Sequence, residues 1–523
     1  MTLRLESSPH FEFIRSYLRE AGYNEESLCG RLKIADVGEL IAVTARAATR
    51  ALGADELSLL IRLLLLGDHF EKQELDSALG PRVVEALAGL GLADFHPAGG
   101  SRMFCDVAVY PVGRVFIASD RWFAVEGKEF QFPEDFVYPA ITPNTRELLA
   151  LLPATPCDNL LELCSGAGAA ALAAAEYVQR SWAIDISERS TQMAEFSRLL
   201  NGLNNVTVRR GNLYEGVEGR QFERIAAHPP YMPSLQPTRA FADGGADGEQ
   251  VTRGIVEGLP RFLKPGGCLY CLTQVSDRHD APLQQRVRTW LGEDEKEFDV
   301  AFIDLGAQDP KEAAYIYALK TEGGFVAVDM MRRSLASLGV ESLVYGWLVI
   351  QRRSHARSVF TVRRSAGQHI GPEEVAWVLN WETFAAGNSA WEEVLEMTPV
   401  ARCSLELHTI HRMQDGKLAP EGFTLHAEEP FFGDCKVQFW VGYLFPWCDG
   451  KASVRQLCAT CKSQNVIHAE TPPQEFAKLI GALISGGFLE VERFCPPNPL
   501  PKQERQRRSS ASGGLGNRIA SSW

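Results

Sequence analysis

The sequence lacks a long hydrophobic run. Its longest one, residues 57–67, is interrupted by Ser58 and Arg62 and is too short to cross a bilayer. The N-terminal residues are polar and amphipathic, without the apolar core of a signal peptide. A dense cysteine framework is also absent, because the 12 cysteines are scattered over 523 residues. Together these absences predict a cytoplasmic protein with reduced thiols and no membrane contact.

An excess of positive charge is absent too. The chain has 53 Lys and Arg residues against 66 Asp and Glu residues, and its formal net charge is −13. Proteins that bind nucleic acid usually contact the phosphates through an excess of basic side chains. A protein substrate is therefore favoured over a nucleic acid, and the composition leaves the oligomeric state open.

At this length the chain is expected to fold as several domains. Near each end a helix, a glycine and a short apolar strand follow one another, in 84–95 and 476–491, which suggests winged-helix-like modules. The pattern divides the chain into an N-terminal helical domain with a small β region (1–137), an α/β domain (138–365), a linker with helical character (366–395), a C-terminal α+β winged-helix-like domain (396–497) and a disordered tail (498–523).

Strand-like and helix-like segments alternate through the α/β domain. This alternation predicts a doubly wound sheet, with helices between most of its strands. The seven apolar runs that we interpret as strands are 159–163, 181–184, 206–209, 222–227, 268–273, 299–304 and 343–350.

The first of these runs ends in a turn that carries two glycines. Glu162 lies at the end of the run, and Gly166 and Gly168 precede an alanine-rich helix. Glycines allow the backbone to approach a ligand where a Cβ would collide. Glu162 suits a carboxylate that contacts a cationic group of a ligand, the alternative being a solvated charge. Cys164 is interpreted as a small buried residue rather than a nucleophile.

The second run ends in Asp185, which follows Gly168 by seventeen residues. A carboxylate at the end of the second strand is where the ribose hydroxyls of a nucleotide are held. The alternative is an exposed acid, with Ser187 capping the next helix.

The fourth run is followed by His228, Pro229, Pro230 and Tyr231. Two prolines remove two backbone donors, so that carbonyl groups can point into a cleft without a local partner. These carbonyls can accept hydrogen bonds from an NH₂ group, and the Tyr231 ring can stack on a planar amide or base. A Pro-Pro pair is otherwise only a stiff loop.

Two motifs have metal-like spacing. Cys458 and Cys461 form a single CxxC, and His408 and His411 form an HxxH. A structural zinc site normally needs four ligands, commonly in two paired motifs, and the second cysteine pair is missing. We therefore predict no metal site and interpret the cysteines as packed thiols on a helix.

With these motifs in register, the chain resembles the class I S-adenosylmethionine-dependent methyltransferases. It looks most like the branch with an Asn-Pro-Pro-Tyr motif, which includes release-factor glutamine methyltransferases with their methyltransferase small domain, and N6-adenine and ribosomal-RNA guanine N2 enzymes. The segments 141–149 and 243–248 also resemble the glutamine enzymes. The resemblance covers 138–275 well and 276–365 by pattern only.

The resemblance implies a Rossmann-like, seven-stranded methyltransferase domain over 138–365 that binds S-adenosylmethionine. Two residues depart from the family pattern, since His228 replaces its Asn and Asn212 replaces its Asp. The implied catalytic residues are His228, Pro229, Pro230 and Tyr231. The implied cofactor-binding residues are Glu162, Cys164, Ser165, Gly166, Gly168, Asp185, Ile186, Asn212, Leu213 and His228.

The implied activity is methyl transfer to an amide or amine nitrogen, on a protein side chain such as glutamine. Two alternatives stay open. One is an N- or O-methyltransferase that acts on a nucleic acid or a small natural product, and the other is a non-catalytic regulator that binds the cofactor. In each case the end domains would dock the substrate or a partner.

Overall fold

The computed structural model describes residues 3–6, 8–41, 52–95, 102–122, 133–234, 240–319, 324–367, 370–402 and 405–494. The tail predicted to be disordered, 498–523, lies outside these residues. Among the described residues, no helix is both long enough and apolar enough to span a membrane.

The N-terminal region is mainly helical. Its helices bury Leu, Ile, Val and Phe side chains in one core that also contacts the central region. The helices are α1 (Pro9–Glu20), α2 (Glu25–Leu32), α3 (Glu56–Leu60, continued by a π-helix Ile61–Leu66), α4 (Lys72–Leu79) and α5 (Pro81–Leu90). A 3₁₀ turn covers Val37–Ile41.

Two small sheets accompany these helices. One has three short strands, β1 (Phe70–Glu71), β2 (Asp94–Phe95) and β3 (Arg102–Phe104). The other is a hairpin of β4 (Ala108–Val112) and β5 (Val115–Ser119).

The central region alternates strands and helices, as the sequence predicts. Its strands are β6 (Cys157–Leu163), β7 (Val178–Asp185), β8 (Val206–Arg210), β9 (Phe222–Ala227), β10 (Leu263–Arg278), β11 (Phe298–Gln308), β12 (Val340–Arg352) and β13 (Thr361–Ala366). Its helices are α6 (Pro143–Leu151), α7 (Ala169–Ala174), α8 (Glu188–Asn201), α9 (Gln250–Phe262), α10 (Leu283–Leu291), α11 (Pro310–Leu319) and α12 (Gly324–Ser337).

One mixed sheet runs through this region. Strands β8, β7, β6, β9 and β10 are parallel neighbours in that order, and β12 then pairs antiparallel with both β10 and β11. The carboxyl ends of the parallel strands therefore meet at one edge of the sheet, where α/β proteins usually bind ligands.

The C-terminal region continues this sheet. Its helices are α13 (Pro372–Ala385), α14 (Ala390–Glu396), α15 (Phe439–Leu444), α16 (Val454–Ser463) and α17 (Pro473–Ser485). Its strands are β14 (Val400–Ala401), β15 (Glu406–Gln414), β16 (Lys417–Ala427), β17 (Phe431–Val437) and β18 (Leu489–Glu490), with β14 paired to β18.

The sheet is therefore larger than the seven strands expected. Beyond β11 it extends through β13, β17, β16 and β15, which makes eleven strands in the described part of the chain. The segment predicted as a linker contains α13, whose Trp377 and Trp381 are buried in the same core as α17. The domain boundaries stay predictions, and the structure adds that the last region shares both a sheet and a core with the central one.

Candidate functional site

The turn after β6 is built from left-handed backbone. Cys164 and Gly166 each have φ +52°, and Gly168 has φ +77° at the start of α7. A Cβ on Gly166 would meet no atom within 4 Å, whereas one on Gly168 would lie 3.2 Å from the Cβ of Ala194. Gly166 therefore leaves backbone open toward the space in front of the turn, and Gly168 allows close packing behind it.

Glu162 is buried, so the alternative of a solvated charge is wrong. Its carboxylate accepts hydrogen bonds from the backbone nitrogens of Ala170 (3.1 Å) and Ala171 (2.8 Å) at the start of α7. Burial raises the pKa of Glu162 to about 7, although these two hydrogen bonds oppose the shift. The carboxyl is thus poised to change its ionisation near neutral pH.

Asp185 links the turn to the end of β7. One carboxylate oxygen accepts a hydrogen bond from the backbone nitrogen of Gly166 at 2.7 Å, and the other accepts one from Ser187 at 2.8 Å. Ser187 also caps α8, accepting from the nitrogen of Ser190 at 3.2 Å. Burial raises the pKa of Asp185. The residue predicted to contact a ribose therefore also holds the glycine turn in place.

The segment after β9 places the tetrapeptide beside the same turn. The backbone nitrogen of Met232 donates to the carbonyl oxygen of Ala242, and that of Gly244 donates to the carbonyl of Met232, both at 2.9 Å. A Cβ on Gly244 would lie 2.8 Å from the Cα of Tyr231, so the loop after the tetrapeptide packs directly on it. This pairing fixes the course of the tetrapeptide.

His228 lies among aromatic rings. Its ring centroid is 6.3 Å from that of Tyr138 and 5.9 Å from that of Tyr231. Burial lowers the pKa of His228 to about 4. The imidazole is therefore neutral at physiological pH, with one ring nitrogen available to accept a hydrogen bond and the other to donate one.

The predicted residues meet around one cavity of about 360 Å³. Gly168 does not line it and instead packs behind the turn. The predicted residues that line it are Glu162, Cys164, Ser165, Gly166, Asp185, Ile186, Asn212, Leu213, His228, Pro229, Pro230 and Tyr231. Burial raises the pKa of the Cys164 thiol well above its usual value, which agrees with its interpretation as an unreactive side chain.

Among the further lining residues, four contribute to the wall beside the tetrapeptide: Phe136, Tyr138, Asn144 and Phe241. The rings of Phe136 and Phe241 have centroids 5.4 Å apart, and those of Tyr138 and Phe241 are 6.0 Å apart. Asn144 donates through Nδ2 to the Tyr231 hydroxyl at 3.1 Å. The sequence marks this region only indirectly, through the prolines at 133, 139 and 143.

The chemistry of the cavity suits a nucleoside that carries a cationic group. The carboxylates of Glu162 and Asp185 complement positive charge, and the open backbone at Gly166 leaves room for a ligand. The Ser165 hydroxyl is buried without a hydrogen-bond partner in the described part of the chain. A buried hydroxyl in this state indicates a polar partner that the protein itself does not supply. The residues present therefore fit S-adenosylmethionine.

The CxxC and HxxH motifs lie on different elements of the C-terminal region. Cys458 and Cys461 are buried on α16, as packed thiols. His408 and His411 lie on the exposed strand β15. In the described ranges, no three His, Cys, Asp or Glu side chains are grouped so that they could hold a metal ion.

Comparison with protein families identifies two segments. Residues 133–300 match the methyltransferase small domain. Residues 38–102 match a domain of unknown function, DUF7059. The first match contains every residue predicted for the cavity.

Curated relatives include glutamine methyltransferases. The ribosomal protein uL3 glutamine methyltransferase of Bradyrhizobium diazoefficiens is 29% identical over 164 residues, which are 28% of this chain and 51% of the relative. The release factor glutamine methyltransferase of Moorella thermoacetica is 26% identical over 232 residues, 39% of this chain and 82% of the relative. The release factor glutamine methyltransferase of Xylella fastidiosa strain Temecula1 is 37% identical over 124 residues, which are 21% of this chain and 45% of the relative.

In two of these three comparisons the match spans about half of the relative's length. The N-terminal helices and the C-terminal region of this chain lie largely outside the methyltransferase match. The resemblance predicted from the sequence is nonetheless confirmed for the central segment, and residues 133–300 form a methyltransferase small domain of the class I type, for which S-adenosylmethionine is the methyl donor.

Proposed function

We propose that the chain transfers a methyl group from S-adenosylmethionine to an amide or amine nitrogen, on a protein side chain such as glutamine. The observation that carries this proposal is that the glycine turn, Asp185 and the tetrapeptide line a single cavity. The curated relatives are named as methyltransferases of glutamine in ribosomal protein uL3 and in release factors, which supports a protein acceptor.

At one end of the cavity we assign Glu162, Asp185 and the turn around Gly166 to the cofactor, together with Ile186, Asn212 and Leu213. S-adenosylmethionine supplies an electrophilic methyl group when it is bound. The two carboxylates favour its positive charge, and the backbone at Gly166 allows close approach. At this end of the cavity, the protein binds the cofactor and orients its methyl group.

At the other end we assign the tetrapeptide to the acceptor nitrogen. The lone pair of an amide nitrogen is delocalised, so that the nitrogen is a poor nucleophile unless it is held in a suitable geometry. The Pro229 carbonyl and the neutral His228 ring can accept hydrogen bonds from its N–H groups. The Tyr231 ring, held by Asn144, can keep the amide plane in place.

In this scheme His228 replaces the Asn of the family. Its ring nitrogen would accept the hydrogen bond that the side-chain oxygen of Asn accepts in the family. Because burial lowers its pKa to about 4, the ring stays neutral while the acceptor binds. A weak base of this kind suffices for the strongly acidic proton that an amide nitrogen carries after methyl transfer. We therefore assign His228 first to hydrogen bonding and second to proton removal.

A planar heterocycle is the second acceptor that the cavity favours. The rings of Tyr138 and Tyr231 flank His228, and Phe241 packs on Tyr138 in the same wall. Such rings can stack on a nucleobase or a small aromatic product. The net charge of −13 argues against a large nucleic acid.

For the end regions we propose winged-helix-like modules that dock the substrate or a protein partner. The N-terminal module would combine α4 and α5 with the three-stranded sheet, and the C-terminal one would combine α16 and α17 with β14 and β18. We also propose a cytoplasmic location, which agrees with ten free cysteines in the described ranges.

Calorimetric titration with S-adenosylmethionine and S-adenosylhomocysteine tests the proposal. Binding of both, lost in Asp185→Ala, supports the cofactor site. Transfer of a tritiated methyl group from the cofactor to cell extract, followed by protease or nuclease digestion, then identifies the acceptor class. Binding without transfer to any fraction would favour a cofactor-binding regulator, and absence of binding would refute the methyltransferase proposal.

A further inference from the structure

A buried carboxylate ends the loop that packs on the tetrapeptide. Glu249 directly precedes α9 and is 1% exposed. Its Oε1 accepts hydrogen bonds from the backbone nitrogen and the hydroxyl of Ser276, both at 2.7 Å, and from Nη2 of Arg286 at 2.6 Å. Its Oε2 accepts from Nη2 of Arg278 at 3.0 Å and from Nε of Arg286 at 3.3 Å. Donors from β10 and α10 therefore hold the start of α9.

The loop before Glu249 touches the tetrapeptide through backbone alone. Gly244 approaches the Cα of Tyr231, as described above, and a Cβ on Gly248 would lie 2.6 Å from the carbonyl oxygen of Tyr231. Gly248 is the residue immediately before Glu249. A shift of Glu249 is therefore passed to the backbone of Tyr231 without a side chain between them that could absorb it.

Hydrogen bonds within the loop make it one unit with the start of α9. The backbone nitrogen of Gln250 donates to the carbonyl oxygen of Gly244 at 2.9 Å. The carboxylate of Asp247 accepts from the backbone nitrogen of Glu249 at 3.0 Å and from Nη2 of Arg278 at 3.2 Å. Arg278 thus bonds both carboxylates, and the loop cannot move relative to β10 without breaking these contacts.

We propose that Glu249 is a positioning residue for methyl transfer, which holds the tetrapeptide in place at the acceptor end of the cavity. This inference rests on the proposed function. A buried ion pair contributes little net stability, because desolvation of the charges opposes their attraction, but its many directed hydrogen bonds fix one geometry. Glu249 itself does not line the cavity, so it acts through the loop on the Pro229 carbonyl and the Tyr231 ring.

The variant Glu249→Gln tests this role with little change in side-chain size. Both carboxylate oxygens of Glu249 face N–H donors. The NH₂ group of glutamine therefore meets a guanidinium in either orientation of the amide. We expect the variant to fold with a displaced loop.

Asp299→Asn is the matched control. Asp299 is also fully buried, and its carboxylate accepts hydrogen bonds from the guanidinium of Arg357 and, at 3.1 Å, from the backbone nitrogen of Phe360. It lies at the beginning of β11, which runs in the same direction as β10 because both are antiparallel to β12. The control therefore changes a similar ion pair at the edge of the sheet opposite the cavity.

The experiment compares the full-length wild type with these two variants. Calorimetric titration with S-adenosylhomocysteine gives the concentration of cofactor-binding sites, and kcat per site is measured with an acceptor found by tritium labelling. We expect Glu249→Gln to lower kcat about tenfold, because a small misplacement of reacting groups has effects of this order or larger. Its Kd for S-adenosylhomocysteine should stay within threefold of the wild-type value, and the control should keep both quantities within twofold.

Hydrogen exchange measured by mass spectrometry tests the anchoring without an acceptor. The backbone amides of Met232 and Gly244 are hydrogen-bonded across the loop, and local loosening speeds exchange at such amides. We expect them to exchange about tenfold faster in Glu249→Gln and at the wild-type rate in Asp299→Asn.

Other outcomes contradict the inference in distinguishable ways. A lower free energy of unfolding with unchanged kcat per site would mean that Glu249 is merely structural. Val251 also lines the cavity, so a loss of cofactor affinity as large as the loss of kcat would assign Glu249 to the cofactor end. Should Glu249→Gln misfold, Ser276→Ala removes a single donor and should give the same pattern with a smaller loss. If the wild type binds cofactor but labels no acceptor, the proposed function fails and this role falls with it. Unaltered exchange in a chain that does methylate overturns only the role of Glu249.

Discussion

Asp120 and Arg189 form a bidentate ion pair that joins the N-terminal region to the methyltransferase domain. Nη2 of Arg189 lies 2.6 Å from one carboxylate oxygen of Asp120, and the other oxygen also accepts a hydrogen bond from the backbone nitrogen of Val137 at 2.7 Å. Arg189 lies in the first turn of α8, four residues after Asp185, and Val137 precedes Tyr138 in the cavity wall. One carboxylate from the N-terminal region is thus bonded both to the helix that follows Asp185 and to the backbone beside Tyr138.

Removing this carboxylate is expected to destabilise the protein and weaken cofactor binding. The side chains of Asp120 and Arg189 are only 10% and 16% exposed. Asp120→Ala therefore removes the bidentate partner of a largely buried guanidinium, which keeps only a hydrogen bond to the Asp135 carbonyl at 3.2 Å and a 3.8 Å contact with the Asp135 carboxylate. Loss of one member of a buried pair costs about 3 kcal/mol. The free energy of unfolding, from urea denaturation, measures the cost.

The matched control is Glu188→Gln, next to Arg189 on the same helix. Glu188 pairs with Arg210, but their side chains are 66% and 61% exposed, and such pairs contribute less than about 1 kcal/mol. Equal losses in the two variants would contradict a special role for the Asp120 pair.

His228 and Asp185 are expected to affect different steps. His228→Ala removes the imidazole nitrogen that would accept a hydrogen bond from the substrate nitrogen. It should reduce kcat by about a hundredfold, because acid–base and positioning groups raise reaction rates by about 10²–10⁴-fold. Asp185→Ala should instead weaken S-adenosylmethionine binding, since it removes the carboxylate that holds the turn at Gly166. Calorimetry and single-turnover rates separate the two effects, and an equal loss of cofactor affinity in both variants would refute the assignment.

Much of the cavity can be predicted because its residues follow buried strands. The predicted strand 222–227 agrees with β9 residue for residue, since its apolar end, residues 225–227, is followed one residue later by two prolines, which cannot donate to a strand ladder. Parallel strands then bring their carboxyl ends together, so Glu162, Asp185 and His228 converge without any further information.

The cavity wall that contains Tyr138 and Phe241 cannot be predicted from strand ends in this way. Tyr138 precedes the glycine turn, and Phe241 follows the tetrapeptide about a hundred residues later, so their contact depends on tertiary packing. The C-terminal extension of the sheet is missed for a related reason. Every residue of β15 is exposed, and the strand therefore lacks the alternation of apolar and polar residues that marks a half-buried strand.

Cofactor binding is expected to depend on pH through Glu162. Burial raises the pKa of this carboxyl to about 7 in the free protein, and a cationic ligand binds the ionised form better. Binding should therefore strengthen as pH rises through 7 and should release a proton. If the bound form is fully ionised, the Kd for S-adenosylmethionine should be about tenfold lower at pH 8 than at pH 6.

Calorimetry in buffers of different ionisation enthalpy measures the proton release directly. Glu162→Gln should abolish both the release and the pH dependence of Kd over this range. His228 provides an internal contrast, because a pKa of about 4 keeps it neutral at both pH values. A pH dependence that persists in Glu162→Gln would assign the titration to another group.

The hydrogen bond from Asn144 to Tyr231 should act on methyl transfer rather than on cofactor binding. Asn144 and Tyr231 are 3% and 5% exposed, and their bond fixes the tyrosine hydroxyl from the first turn of α6. Asn144→Leu and Tyr231→Phe should each lower kcat about fivefold, since a buried hydrogen bond contributes about 1 kcal/mol, with the Kd for S-adenosylmethionine unchanged. Because both changes remove the same bond, the double variant should be little slower than either single one. Multiplicative losses in the double-mutant cycle would mean that the two residues act independently and that Asn144 does not position the ring.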